Sequence, residues 1–365
     1  MATYRKESDA CVADFIQVCR EEYVDGQMDR SVTLGDMDVD KIDTSSERTY
    51  FLTPRAGLLW PGGAPNEMIL DRFALMQLCQ RMKPGQAKLD HNYILACSPG
   101  LALVNLKFWM KTWEEREVLL RLKQDPNGRT EVRAALSGAY QIIDAIPVAK
   151  KIEPILRDKL LEFVVTKRKW SITFWEELGR TSGSSKFDVG FRILGSEVGL
   201  YMRIMMDVLM KFETRMGTFT VPILQNGKHL AVVPHSGSGM AALGRLETGV
   251  AKGKGAVRSA EDAVSRRKTE LLKYPMDEFL DVVDMMHLPK GLASLVNEHP
   301  EKFEPIKTRF DLACLLGGLA SETTGRAQLK IETAAGLYLL TGRARKRPQR
   351  GETKEEAESS DDKKA

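Results

Sequence analysis

Residues 118–136 read VLLRLKQDPNGRTEVRAAL, and this stretch decides the fold class. Two apolar-rich runs, 118–123 and 130–136, flank Asp125-Pro126-Asn127-Gly128. Asn-Gly at the tip supplies the positive φ of a tight hairpin, so the runs are expected to pair as antiparallel strands. Downstream, short runs rich in β-branched and aromatic residues mark further strands at 163–166, 170–175, 187–194, 218–224 and 229–233. On either side the period changes from two to that of a helix. Before the hairpin, residues 5–24, the run carrying Ile69, Phe73, Met76 and Cys79, and residues 104–115 are expected to be helical. After it, helices are expected at 259–273, 276–286, 309–320 and 326–340. Strands grouped in the middle with helices at both ends give an α+β fold, with a central, mostly antiparallel sheet, N-terminal helices and a C-terminal helical segment.

Length and charge bound the rest. The chain has 365 residues, 54 Lys and Arg against 50 Asp and Glu, and a hydrophobic share of 43%. That share supports a sizeable core, while a formal charge of +4 excludes a histone-like polycation. Four segments are expected. Residues 1–49 hold a helix and an acidic loop, 50–258 the α+β core, 259–342 the helical segment, and 343–365 a disordered tail. In the tail a basic block (Arg343, Arg345, Lys346, Arg347, Arg350) precedes an acidic end, a composition suited to docking a partner. The five cysteines are scattered without a C-x-x-C pair, and residues 1–7 lack an apolar signal core. The longest uncharged stretch, 92–106, is broken by Ser98-Pro99-Gly100. A cytoplasmic protein with no membrane partner is therefore expected.

Templates for catalysis and metal binding fail one after another. Asp36, Asp38, Asp40 and Glu47 have calcium-loop spacing, but Lys41 stands where the loop needs glycine. Gly237-Ser-Gly239 lacks the second strand and acid of a dinucleotide site, and residues 249–255 end in Gly255 where a phosphate loop needs Ser or Thr. Ser265 and Lys268 have no partner motif, and the five histidines show no ligand spacing. No catalytic residue, metal or cofactor is expected.

Two features point to polyanions. Lys167-Arg168-Lys169-Trp170 places cations beside an aromatic ring, with Phe174 and Trp175 following. Single-strand binders use that mixture, cations tracking phosphates while a ring stacks on a base. The alternative is a β-turn with charged corners and its tryptophans in the core. The second feature is a Gly-, Ser- and Lys-rich stretch, 236–255, expected to be a mobile loop; Lys252, Lys254 and Arg258 lead from it into Arg266-Arg267-Lys268. The expected nucleic-acid-binding set is Lys167, Arg168, Lys169, Trp170, Lys252, Lys254 and Arg258.

An ordered set of segments also resembles a known family. Residues 73–82 are similar to its early helix, and Asn105 and Trp109 to its N-x-x-x-W segment. Arg133-Ala-Ala-Leu136-Ser137 with Tyr140 and Asp144 resembles its R-A-x-L-S-x-x-Y-x-x-I-D strand. Gly195-Ser196-Glu197-Val198-Gly199 is like its N-S-E-V-G turn, with Gly195 in place of the asparagine, and Gln225-Asn226-Gly227 stands where T-N-G is common. Residues 309–313 and 334–336 resemble its closing helices. The family is the phage- and plasmid-like proteins grouped as a domain of unknown function, and the resemblance covers about 50–340. It implies a mobile-element protein in a bacterial cytoplasm and supplies no reaction. Two functions follow as expectations: binding or annealing of single-stranded DNA without catalysis, or a structural or protein-interaction role without nucleic acid. The expected partners are single-stranded DNA, a host or phage protein reached through the tail, and further copies of the chain.

Overall fold

The structure is a computed structural model, and it describes residues 4–24, 27–45, 48–55, 67–82, 89–124, 127–156, 159–182, 185–201, 203–214, 217–223, 229–235, 243–323 and 325–342. The tail from 343 onward, the connector at 56–66 and the Asn226-Gly227 pair lie outside these. The elements in chain order begin β1 (Tyr4–Ala10), α1 (Val12–Cys19), β2 (Gln27–Thr33), β3 (Met37–Asp43), β4 (Thr49–Pro54), β5 (Met68–Leu70), α2 (Arg72–Arg81), α3 (His91–Ala96) and α4 (Pro99–Thr112). They continue with β6 (Glu117–Gln124), β7 (Thr130–Ser137), α5 (Ala145–Leu156), β8 (Leu161–Thr166), β9 (Trp170–Ser182), β10 (Ser185–Gly195), β11 (Arg203–Thr214), β12 (Gly217–Ile223) and β13 (Ala231–Pro234). The chain closes on α6 (Gly244–Thr269), α7 (Pro275–Met285), α8 (Gly291–Glu298), α9 (Arg309–Ser321) and α10 (Gly325–Thr341).

The fold is α+β, with mostly antiparallel sheets (β5 and β7 pair parallel) and a helical C-terminal part. Its strands divide between two sheets. One has the order β1-β8-β9-β10-β11-β12 with β13 beside β11, and the other β2-β6-β7-β5-β4-β3. The hairpin at 118–136 forms as β6 and β7, with Gly128 at φ +79°. Its register shifts between Arg121 and Leu122, leaving Arg133 on β7 without an opposite residue. Such a bulge re-aims side chains, and both Arg121 and Arg133 are buried.

The N-terminal expectation changes. Residues 5–24 are not one helix: strand β1 precedes α1, and a turn of π-helix spans 20–24. The acidic loop is a strand as well. Asp36 accepts from the Thr33 backbone N–H at 2.6 Å, while Asp38 and Asp40 pair with Lys107 at 3.5 and 3.2 Å. These carboxylates therefore serve a cap and an ion pair rather than a calcium loop.

Two compact units share the chain. The first comprises 1–173, 193–205 and 232–247, and the second 174–192, 206–231 and 248–365. In the first, α2, α3 and α4 cover the β2–β7 sheet around Leu75, Leu78, Leu106, Val118, Leu120 and Leu122. Asp71 caps α2 by accepting from the Ala74 N–H at 2.7 Å. Gln77 then ties α2 to β7: its amide oxygen accepts from Ala135 N–H at 3.1 Å, and its nitrogen donates to Val198 O at 2.7 Å.

In the second unit Phe212 lies at the centre of an aromatic group with Phe187, Phe219 and Phe310, centroids 5.3–5.8 Å apart. Thr308 and Asp311 form a reciprocal cap at the start of α9. Arg267 donates to the Leu339 and Leu340 carbonyls at 3.2 and 3.3 Å, and Arg309 donates to that of Gly342, which satisfies the last turn of α10.

The largest change concerns the glycine-lysine segment. Residues 244–255 belong to the 26-residue helix α6 and are not a mobile loop; 236–242 lie outside the described residues. Gly249 and Gly253 are one turn apart and let the helix lie close on the sheet. A Cβ at Gly249 would stand 3.0 Å from Met206 Sδ, and one at Gly253 would stand 2.5 Å from Phe191 and 2.8 Å from Val208. Packing thus outweighs the roughly 1 kcal/mol helix penalty of each glycine. Gly253→Ala is expected to cost about 1–3 kcal/mol by overpacking, whereas Gly255→Ala, at an open position, should gain about 0.5–1 kcal/mol. Urea denaturation distinguishes them; equal effects would mean that Gly253 does not face the sheet.

Candidate nucleic-acid interface

Residues 166–169 form the turn between β8 and β9. Thr166 Oγ1 accepts from the Lys169 N–H at 3.1 Å, and Tyr23 Oη donates to the Thr166 and Lys169 carbonyls at 2.6 and 3.0 Å. Lys167 is ion-paired with Glu131, and Arg168 pairs with Asp71 at 3.2 Å while lying over the Phe73 ring at 4.8 Å. Trp170 is 1% exposed, packed edge-on against Phe15, with Gly195 against its ring. A ring so covered has no face for a base, so Trp170 belongs to the core and not to a stacking platform. The charged-corner alternative describes this segment.

The segments around 133–144 and 195–199 converge beneath that turn. Arg121, buried on β6, donates to Asp144 at 2.7 and 3.2 Å, to Asp29 at 3.2 Å and to the Glu197 carbonyl at 2.6 Å. Arg133 donates to the Lys167 carbonyl at 3.1 Å and lies over the Tyr23 ring at 5.0 Å. Ser196 donates from Oγ to the Arg168 carbonyl at 2.6 Å and accepts from the Leu200 N–H at 2.9 Å. Gly199 has φ +71° and sits against Leu136 and Gln77, a conformation and a space that suit glycine. Glu197 Oε1 accepts from Ala145 N–H, the first amide of α5, at 2.9 Å.

Burial and the Asp144 charge push the Glu197 carboxyl up to about 8, against the pull of Arg121, the Ala145 N–H and Arg133. Tyr140 stacks on His235 at 4.8 Å, and the Gln141 carbonyl lies 3.2 Å from His235 Nδ1. Burial lowers the His235 pKa and raises that of Tyr140. With Glu197 protonated, both aromatic groups are neutral, and Arg121 and Arg133 balance Asp29 and Asp144. These residues build a buried, nearly charge-neutral network that holds the 166–169 and 196–199 turns. Among the described residues no group of three His, Cys, Asp or Glu could hold a metal ion.

Exposed cations collect in the second unit instead. Helix α6 carries seven Lys and Arg against three acids. Its outward stripe runs Thr248, Lys252, Gly255, Ser259, Asp262 and Arg266, at three- and four-residue spacing, mostly small or basic. Lys254 and Arg258 lie in the same helix, with side chains outside the described residues. Beyond α6, Leu271 bridges to Thr308, and the Leu272 N–H donates to the Lys307 carbonyl at 2.9 Å. That pairing brings exposed Lys307 alongside Leu272, and the next residue, exposed Lys273, lies over the ring of Tyr274 at 5.1 Å; Tyr274 is 60% and Leu271 79% exposed. Of the nearby acids, Glu270 pairs with Arg267 and Glu278 accepts from Tyr338 Oη at 2.8 Å, while Asp277, in the first turn of α7, is exposed. Sequence reasoning passed over Tyr274. The signal was a lone tyrosine in a Lys-Tyr-Pro connector, unremarkable until the structure leaves it exposed beside Lys273.

No family model matches the chain, and no curated protein or solved structure does. No described helix is long and apolar enough to cross a membrane.

Proposed function

We propose that the protein binds single-stranded nucleic acid without catalysis, as a phage- or plasmid-encoded factor of replication or recombination in a bacterial cytoplasm. The observation that carries this reading is the exposed tyrosine set among cations at the end of a basic helix. Lys252, Arg266, Lys273 and Lys307 would neutralise phosphates, and Tyr274 replaces Trp170 as the ring on which a base stacks. The resemblance to the phage- and plasmid-like family supports the origin. An interaction role without nucleic acid is the second reading, favoured by the exposed apolar face of α4.

Fluorescence anisotropy of a labelled single strand, across a salt series with a duplex control, tests the leading reading. Wild type should prefer the single strand, and Tyr274→Ala should weaken it by about 1–3 kcal/mol, roughly 5- to 150-fold. Replacing Lys252, Arg266 and Lys273 by alanine should flatten the log–log salt slope by about two units, about 0.7 for each phosphate that is no longer neutralised. Binding that keeps its affinity and slope in these variants, or no binding at low salt, rejects the site.

A further inference from the structure

Two arginines of the first unit carry charges that no acid balances. Arg81 lies in the last turn of α2, and Arg116 follows α4 on the way to β6. Both are half-buried, and Arg81 Nε is a buried donor without an acceptor. Burial, then the Arg116 charge, lowers the Arg81 pKa, which sets the two guanidiniums near enough to repel. Trp113, the C-terminal cap of α4, lies beneath the Arg116 guanidinium at 5.8 Å and packs on the same core as Met82, the residue after Arg81. Its Nε1–H is likewise buried with no acceptor. A buried indole N–H normally finds a partner, and an unpaired buried cation is costly. The C-terminal ends of α2 and α4 favour a cation. Yet among the described residues no carbonyl accepts from either guanidinium and no carboxylate pairs with one; Glu114, Glu115 and Glu117, beside Arg116 in the chain, are exposed.

We propose that Arg81, Arg116 and the Trp113 indole N–H hold a phosphate dianion. Guanidinium donors match phosphate oxygens in pairs, and two such groups balance a dianion, whereas a single carboxylate would leave one positive charge over. A tetrahedral oxyanion also accepts from several directions at once, as donors on two helix ends and the turn after α4 require. Entry is open, because all three side chains keep part of their surface exposed. Inorganic phosphate and the phosphate of a nucleoside 5′-monophosphate share this chemistry, and in the second case the Trp113 ring stands beside the bound group. The proposal does not rest on single-strand binding, whose residues Lys252, Arg266, Lys273 and Tyr274 belong to the second unit.

Nuclear magnetic resonance of the full chain, its tryptophans labelled with nitrogen-15, reads the site directly in chloride buffer at about pH 8, where phosphate is a dianion. Trp113→Phe identifies the Trp113 indole resonance by its loss. Inorganic phosphate, titrated to about 10 mM at constant ionic strength, should move that resonance saturably and raise the melting temperature. Arg81→Gln and Arg116→Gln should each weaken the response at least tenfold. Without phosphate both should melt no lower than wild type, because each removes an unbalanced charge. Arg116→Lys should weaken the response several-fold, since it keeps the charge and loses the paired donors. A nucleoside 5′-monophosphate in a parallel titration separates the sources: tighter binding than phosphate identifies a nucleotide, and equal or weaker binding the free ion. A Trp113 resonance that phosphate leaves in place, or one that still responds fully in both glutamine variants, overturns the proposal. So does a phosphate-free melting temperature below wild type in both, which would show the charges to be balanced within the fold.

Discussion

Arg121→Met should unfold the protein at a much lower urea concentration, with a loss of about 3–5 kcal/mol. Methionine roughly fills the shape of the arginine but removes its donors, leaving Asp144, Asp29 and the Glu197 carbonyl facing a buried apolar group. Asp29 and Asp144 retain 23% and 25% of their side-chain exposure, so water compensates them in part and the lower end of the range is the expected value. Against a total stability of about 5–15 kcal/mol this is a large fraction. Asp144→Asn should cost less, because its amide oxygen still accepts from Arg121. A shift worth under about 1 kcal/mol for Arg121→Met would mean that the network does not hold the unit together.

Glu197→Gln should change the pH dependence of stability markedly. Burial, then the Asp144 charge, push the folded Glu197 carboxyl up to about 8, well above an ordinary glutamate's value. Between those values the folded protein keeps a proton that the unfolded chain has released. The contribution is whole below about pH 4.5, erodes as pH rises, and is gone above about pH 8. Tyr23, Tyr140 and Cys19 face the same carboxyl, and burial raises all three, so they stay neutral across that window. His235 acts in the opposite sense at lower pH, since burial lowers its pKa. For that reason the quantity to measure is the difference between wild type and Glu197→Gln. From pH 5 to pH 8.5 that difference should move in favour of the variant by roughly 2–4 kcal/mol. Parallel stability curves would show that Glu197 is already ionised in the folded protein.

Segments with strong local signals were legible. The Asn-Gly hairpin forms as β6–β7, the five strand candidates correspond to β8, β9, β10, β12 and β13, and the helices at 276–286, 309–320 and 326–340 are α7, α9 and α10. Of the missed strands, β1, β2 and β3 are sheet edges, where polar side chains are tolerated and the apolar pattern is thin. β4 and β5 are interior and short; Ile69, expected in the helix with Phe73, lies instead in β5, because the helix begins only after the Asp71 cap. β11 failed in the opposite way. Residues 204–210 are all buried, so its methionines and branched residues show no alternation.

Of the candidate site, the polarity of α6 was legible and its geometry was not. Lys252 and Arg266 could be picked out by charge, but Gly249 and Gly253 suggest a loop to any local rule, and only the sheet beneath them makes a helix the better state. Trp170 shows the reverse. Its neighbours Lys167, Arg168 and Lys169 suggested an open surface, while the 166–169 turn carries Lys167 to Glu131 and Arg168 to Asp71 and leaves the ring in the core. The sequence alone determined the α+β class, the hairpin and the C-terminal helices, because turn chemistry and helical period act over a few residues. Tertiary structure decided which cations are spent on ion pairs, which aromatic ring is exposed, and that Arg133, Tyr140, Asp144 and Glu197 share one buried network. Those outcomes depend on groups distant in sequence, and on a burial cost that no local pattern encodes.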